Sequence, residues 1–230
     1  MADFTNNAGT AVSGRTNSKR DLVVQQNLLK WVAEGKVFEA GFGAEDTAAD
    51  SQAALDDTKV TFALQSPANS YTLVVPILLK LACVADGGAL TAIDIAFTKP
   101  AGLCATANTL SGRALTSIHC MYQANPNKAT PLAQALYGVA TTFQLTSAAL
   151  VAADYVDYHK GAIIDAALTT GLPNLGGGPS NVSTWDFLNV GAPRIMTNGA
   201  SMLVYINTGT SDSTWFPYMQ WAELTIDDLL

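Results

Sequence analysis

Apolar and polar positions alternate in short runs along most of this chain. Val60, Phe62 and Leu64 alternate with Thr61, Ala63 and Gln65. Ala89, Thr91, Ile93, Ile95 and Phe97 stand against Ala92, Asp94 and Ala96, and Val139, Thr141, Phe143 and Leu145 against Ala140, Thr142 and Gln144. A period of two sends one set of side chains into a core and the other set outwards, so these runs predict strands. The same reading places strands at 36–43, with Phe38, Ala40 and Phe42 on one face, and at 58–66, 71–84, 89–98, 114–123, 139–147 and 155–164. Two more close the chain. In one, Met202, Val204 and Ile206 alternate with Leu203, Tyr205 and Asn207; the other is the aromatic run 215–226, where Pro217 predicts an edge position or a strand beginning. A short helix is predicted after a cap at Ser18 or Asp21, with Leu22, Leu28, Leu29 and Val32 on its apolar face.

Turn chemistry separates the runs: Pro67-Ala68-Asn69-Ser70, Asp86-Gly87-Gly88, Lys99-Pro100-Ala101-Gly102 and Asn125-Pro126-Asn127. About eight or nine short strands with no internal repeat predict an all-β sandwich rather than a propeller or solenoid. The loops 44–57, 99–113, 124–138 and 165–198 are too long for a plain meander, whereas Greek-key crossings between sheets require such connections. The expectation is a jelly-roll-type two-sheet sandwich at 21–230, preceded by a flexible N-terminal arm at 1–20. An immunoglobulin-like sandwich is the alternative, although that fold usually takes only about 100 residues.

Composition changes the picture in one respect. Charged residues make up 13% of the chain, about half the usual share, while hydrophobic residues make up 49%. Interface cores are depleted in charge, so a surface of Ala, Thr, Ser and Asn suggests faces that meet other subunits. A secreted β-protein with a Thr/Ser/Asn-rich surface is the other reading. The net charge of −7 is unevenly placed: residues 1–36 carry +2 and the remainder −9. An acidic body does not bind phosphate backbones broadly. Only the arm, through Arg15, Lys19 and Arg20, offers a weak nucleic-acid contact, and the same three residues also serve simply to solubilise a terminus. The first residues show neither a charged n-region nor an apolar h-region, and the most apolar stretch, 71–84, is too short to span a bilayer. Cys83, Cys104 and Cys120 are odd in number and lie in apolar runs, as buried thiols do. Synthesis in a reducing cytoplasm is the expectation.

Signatures of chemistry are few. His119 and Cys120 are adjacent, so on a strand they point to opposite faces and cannot act as one metal-binding unit. Asp157 and His159 share a strand face, which is two thirds of a triad, but no Gly-x-Ser-x-Gly elbow supplies a nucleophile; Ser201 after Gly199-Ala200 is not that motif. The acidic stretch 45–57 lacks the calcium-loop spacing, and neither Gly41-Phe42-Gly43 nor Gly176-Gly177-Gly178 is a phosphate loop. No catalytic residue, cofactor or metal is expected. The densest aromatic group is Trp215, Phe216, Tyr218 and Trp221. Trp215, Tyr218 and Trp221 are candidates for a subunit-interface anchor or a sugar-stacking platform, and core packing is the simplest role for them.

Taken together, three features resemble the single jelly-roll capsid proteins of small icosahedral viruses. They are the arm Gly14-Arg15-Thr16-Asn17-Ser18-Lys19-Arg20, a long-looped β-body rich in Ala, Thr and Val, and an aromatic C-terminal strand. The style is that of bacteriophage or environmental viruses. The resemblance implies a virion structural protein, made in the host cytoplasm, whose partners are copies of itself and other virion proteins in a symmetric shell or vertex. In one respect the chain departs from that pattern: RNA-packaging arms are strongly basic, and this arm has three basic residues. A carbohydrate- or receptor-binding β-sandwich, as in a spike, decoration or lectin-like module, is the alternative.

Overall fold

The alternating runs bury one face of each long strand, and two antiparallel sheets result. The computed structural model describes residues 3–5, 11–13, 28–41, 49–50, 59–68, 70–85, 91–101, 113–114, 118–120, 130–137, 143–144, 154–164, 182–188, 193–208 and 213–228. Strands are numbered along the chain. Sheet one runs β10 (Ile118–Cys120), β3 (Val37–Gly41), β16 (Thr214–Leu224), β7 (Leu73–Ala85), β14 (Val182–Asp186), with β4 (Ala49–Asp50) beside the start of β16. Sheet two runs β13 (Tyr155–Ile164), β8 (Thr91–Thr98), β15 (Ser201–Thr208), β6 (Phe62–Gln65), β11 (Gln134–Tyr137), β9 (Arg113–Ala114). Two separate pairs complete the description: β1 (Asp3–Thr5) with β2 (Ala11–Ser13), and β5 (Lys59–Val60) with β12 (Phe143–Gln144). No helix among the described residues is long and apolar enough to cross a membrane.

Eight of these strands carry the winding: β3, β6, β7, β8, β13, β14, β15 and β16. The first pairs with the last, β6 with β15, β7 with β14, and β8 with β13. Two further ladders, β16 on β7 and β15 on β8, knit the pairs into the two sheets. The inserted β10 widens sheet one beside β3, and β11 and β9 widen sheet two beside β6.

One apolar cluster fills the space between the sheets. Phe38, Leu79, Leu81, Trp215, Met219 and Trp221 come from sheet one, and Phe62, Leu64, Ile93, Ile95, Met202, Val204 and Ile206 from sheet two. The outer face of sheet two is buried as well, around Ala63, Ala96, Leu136, Leu203 and Tyr205. On the outer face of sheet one, a short helix α1 (residues 28–33) lays Leu28, Trp31 and Val32 on Val37, Val75, Ile77, Ala222 and Leu224. The helix ends in paired 6→1 and 5→2 bonds, Lys36 N–H to Trp31 C=O and Gly35 N–H to Val32 C=O, both 2.9 Å. That closure needs a left-handed residue, supplied by Gly35 at φ 75°.

Several sequence expectations change here. Leu29 is 68% exposed, and Trp31 takes its place on the apolar face of α1. The run 58–66 is broken at Thr61, so Val60 joins the outer cluster while Phe62 and Leu64 face the core. At the break the fully buried Thr61 accepts the Ile206 N–H on Oγ1 at 3.1 Å, in place of a backbone carbonyl. Within the run 114–123, the described residues belong to two strands in different sheets, β9 and β10. Loops read at 124–138 and 165–198 contain β11 and β14. Within 139–147, the described residues form only the short β12.

Pro217 lies in a central strand, not at an edge or a strand start. On one side β16 meets β4 at Thr214 and Trp215 and β3 from Tyr218 to Ala222, and on the other Pro217 stands opposite Leu81 of β7. In β7, Pro76 lies past the end of the β14 ladder, and an extra residue at Ile77 forms a bulge against β16. The bulged Ile77 carbonyl accepts the Phe187 N–H at 2.9 Å, so its polar group is not orphaned.

Candidate functional site

The candidate aromatics sit on one strand but divide between its two faces. On β16 the odd-numbered residues point inwards: Trp215 and Trp221 are each 0% exposed. The Trp215 indole donates to Ser213 Oγ at 2.6 Å, and the Trp221 ring stacks on Phe38 with centroids 6.0 Å apart. Neither presents a surface to a sugar or a neighbouring subunit. Tyr218 lies on the opposite, outer face of sheet one, half-buried. Its hydroxyl donates to Glu39 Oε2 at 2.5 Å and accepts from Gln220 Nε2 at 2.6 Å. The ring reaches Glu39 past Gly41, where an added Cβ would lie 3.6 Å from Tyr218 Cδ2. Burial and the Glu39 carboxylate hold the phenol above its ordinary value, against the opposing donation from Gln220. The amide, phenol and carboxylate thus form a clasp from β16 to β3 whose hydrogen bonds are made within the chain.

A second polar junction closes one end of the sandwich. Glu223 accepts the Leu132 N–H on Oε2 at 2.8 Å, the Ala133 N–H on Oε1 at 3.0 Å, and the Trp221 indole N–H on Oε1 at 3.1 Å. One carboxylate therefore ties the last turn of sheet one to the segment leading into β11 of sheet two. Nearby, Lys36 Nζ bridges Asp228 at 2.5 Å and Glu34 at 2.7 Å. Asp228 also accepts the Thr225 N–H and hydroxyl, which pins the 3₁₀ turn Ile226–Asp228 against the root of β3. Burial pushes the Asp228 carboxyl up, but Lys36 and Thr225 outweigh it and leave it below the ordinary value. Hydrogen bonds to Asp228 and then to Glu34 raise the Lys36 ammonium.

The backbone places the other described candidates on β7, β10, β13 and β15. Asp157 and His159 stand on β13 opposite Phe97 and Ile95, and His119 on β10 opposite Glu39. Ser201 is fully buried, with its N–H on Thr98 Oγ1 at 2.9 Å. Cys83 is half-buried against the main cluster. Arg15, Lys19, Arg20, Leu22, Phe42 and Cys104 lie outside the described residues. Among the described residues no three His, Cys, Asp or Glu side chains converge in a way that would hold a metal ion.

Sequence reasoning missed Glu223 and the Asn198-Gly199 turn. The turn was legible: both residues have positive φ, 52° and 79°, as an Asn-Gly type I′ turn demands, and Ala200 N–H closes it on Thr197 C=O at 3.1 Å. Gly199 is required there, because an added Cβ would meet Ala101 Cβ at 2.8 Å. Glu223 carried no sequence signal, since its backbone partners, Leu132 and Ala133, lie about 90 residues away in the chain. Comparison with protein-family models, curated proteins and solved structures found no match.

Proposed function

We propose that this chain is a non-enzymatic virion structural protein of bacteriophage type, a capsid subunit that assembles with copies of itself into a symmetric shell or vertex. We read its sandwich as a jelly roll. The observation that carries this reading is the strand order. Of eight principal strands, first pairs with last, second with seventh, third with sixth and fourth with fifth, so one long folded hairpin is wound into two sheets. That pairing supports the jelly-roll reading, a scheme which viral capsid and lectin domains use. Fold alone does not choose between them. The charged fraction of 13% favours assembly, because much of the surface is then fit to be covered. The lectin reading loses two of its three stacking residues to the core. The arm with Arg15, Lys19 and Arg20 would then touch nucleic acid weakly, inside a particle.

The test is the native mass and shape of the full chain, by sedimentation velocity and electron microscopy of the same fraction. Closed shells, rings or regular oligomers are expected. A monodisperse monomer at millimolar concentration would refute the reading. Specific glycan binding by such a monomer would put the lectin-like module in its place.

A further inference from the structure

The large hydrophobic side chains left in solvent are not scattered. Seven are exposed among the described residues: Leu29, Tyr71, Leu132, Val156, Val182, Ile195 and Ile226. Registers and hydrogen bonds place five of them at one end of the sandwich, and the packing of α1 brings a sixth beside it. Leu73 pairs with Leu224, so Tyr71 and Ile226 flank the same edge of sheet one. Met196 bridges to Val74, which brings Ile195 there, and the Glu223 carboxylate brings Leu132. Tyr155 pairs with Thr98, and Thr98 bonds the first residue of β15, which puts Val156 at the corresponding end of sheet two. Leu29 is carried on α1, which packs over Leu224 and Val75. Only Val182 lies elsewhere, opposite Ala82 towards the far end of β7.

Single exposed apolar side chains are ordinary, but a concentration of them marks an interaction surface. Tyr71 is 98% exposed on a loop bounded by Pro67 and the start of β7, so a tyrosine is held out into water with no partner for its ring. Folding gains nothing from that placement, whereas association would gain the burial of the ring.

Charge identifies the occupant. Among the described residues, the loops, α1 and strand ends here carry Lys30, Lys36, Lys99 and Arg194 against five carboxylates, a net of −1 within a chain of net −7. Glu34 faces Lys30 and Lys36, Asp228 is paired with Lys36, Glu223 binds backbone N–H groups, and Asp154 is buried. Two acidic copies repel through the rest of their surfaces but can meet here. An apolar patch with both signs of charge at its rim is self-complementary, as an isologous contact requires. We infer that this end of the sandwich, centred on Tyr71, Leu132 and Ile195, is a contact between copies of this chain; the inference rests on the self-assembly proposed above.

The test uses the full chain with Tyr71→Ser and Ile195→Ser combined, and Val182→Ser as the control at the opposite end. Concentration-dependent sedimentation reads the concentration at half assembly, and thermal unfolding checks the fold. The double variant is expected to raise that concentration at least tenfold with an unchanged melting temperature, and Val182→Ser to leave it within about twofold. A double variant that assembles like the wild type overturns the inference and leaves self-assembly standing. A wild-type monomer at every concentration removes both. A wild-type monomer that co-floats with phosphatidylcholine vesicles, and loses this in the double variant, gives the end a lipid surface and likewise overturns the contact between copies.

Discussion

Glu223→Ala tests how the two sheets are joined. The carboxylate serves three N–H donors: the Leu132 amide, the Ala133 amide and the Trp221 indole, at 2.8–3.1 Å. Trp221 is 0% and Ala133 4% exposed, so water does not replace the lost acceptor at those two donors, while Leu132 at 57% is rehydrated. Each buried N–H left without an acceptor costs about 1–3 kcal/mol. The two together predict a loss of roughly 2–6 kcal/mol, a large share of the ~5–15 kcal/mol that holds a typical domain. For a chain of this size each kcal/mol is worth about 2–4 °C, so the melting temperature should fall by about 4–24 °C. Glu223→Gln keeps one carbonyl oxygen for the Ala133 and Trp221 donors but turns an NH₂ towards Leu132, and should cost about 1 kcal/mol. Urea unfolding of the dissociated chain, followed by tryptophan fluorescence, measures both. A Glu223→Ala protein within about 0.5 kcal/mol of wild type would refute the reasoning, since the orphaned donors would then have to be hydrated. A Gln variant as unstable as the Ala variant would refute the claim that acceptor geometry, rather than charge, makes the joint.

Three further perturbations follow from the same geometry. Thr61→Val keeps the shape of the side chain but strands the buried Ile206 N–H, and should cost about 1–3 kcal/mol in urea unfolding, with Thr61→Ser near wild type. Tyr218→Phe should cost about 0.5–1.5 kcal/mol at neutral pH. Because the folded phenol is held above its ordinary value, the unfolded chain ionises first, and the wild type loses stability as pH rises past 10; the Phe variant should show a shallower alkaline loss in urea midpoints. Asp228→Asn should cost about 1 kcal/mol, and, because the folded carboxyl lies below its ordinary 3.8, that cost should be complete above this value and vanish as pH falls through the lower folded one. The Lys36 ammonium works in the opposite sense: its contribution is intact below 10.5 and is lost at higher pH, so the pair is at full strength between those limits.

The sandwich was legible in the sequence wherever a strand is long and one face meets the core. The runs at 71–84, 89–98, 155–164 and 215–226 match β7, β8, β13 and β16 closely, because Ile93, Ile95 and Phe97, or Trp215, Met219 and Trp221, repeat at the pleat's own period. Reading failed where burial and period part company. β14 carries Val182 and Thr184 exposed at a sheet edge, so its alternation is weak, and β11 hides behind Pro131 in what reads as a loop. Thr61 looks like the polar partner in a regular strand, yet it is buried and interrupts it.

Chain order and composition therefore determined the class of this protein: a β-body with large aromatic residues in its last strand and little charge on its surface. Both follow from local chemistry, which a pattern of neighbours records. Tertiary structure alone decided which strand lies beside which, and hence the nested pairing that rolls β3 to β16 into two sheets, because ladder partners come from opposite ends of the chain. It also decided which face of β16 turns inwards, burying Trp215 and Trp221, and that six exposed apolar side chains gather at one end. Each of these depends on contacts between residues far apart in sequence, and no local pattern encodes them.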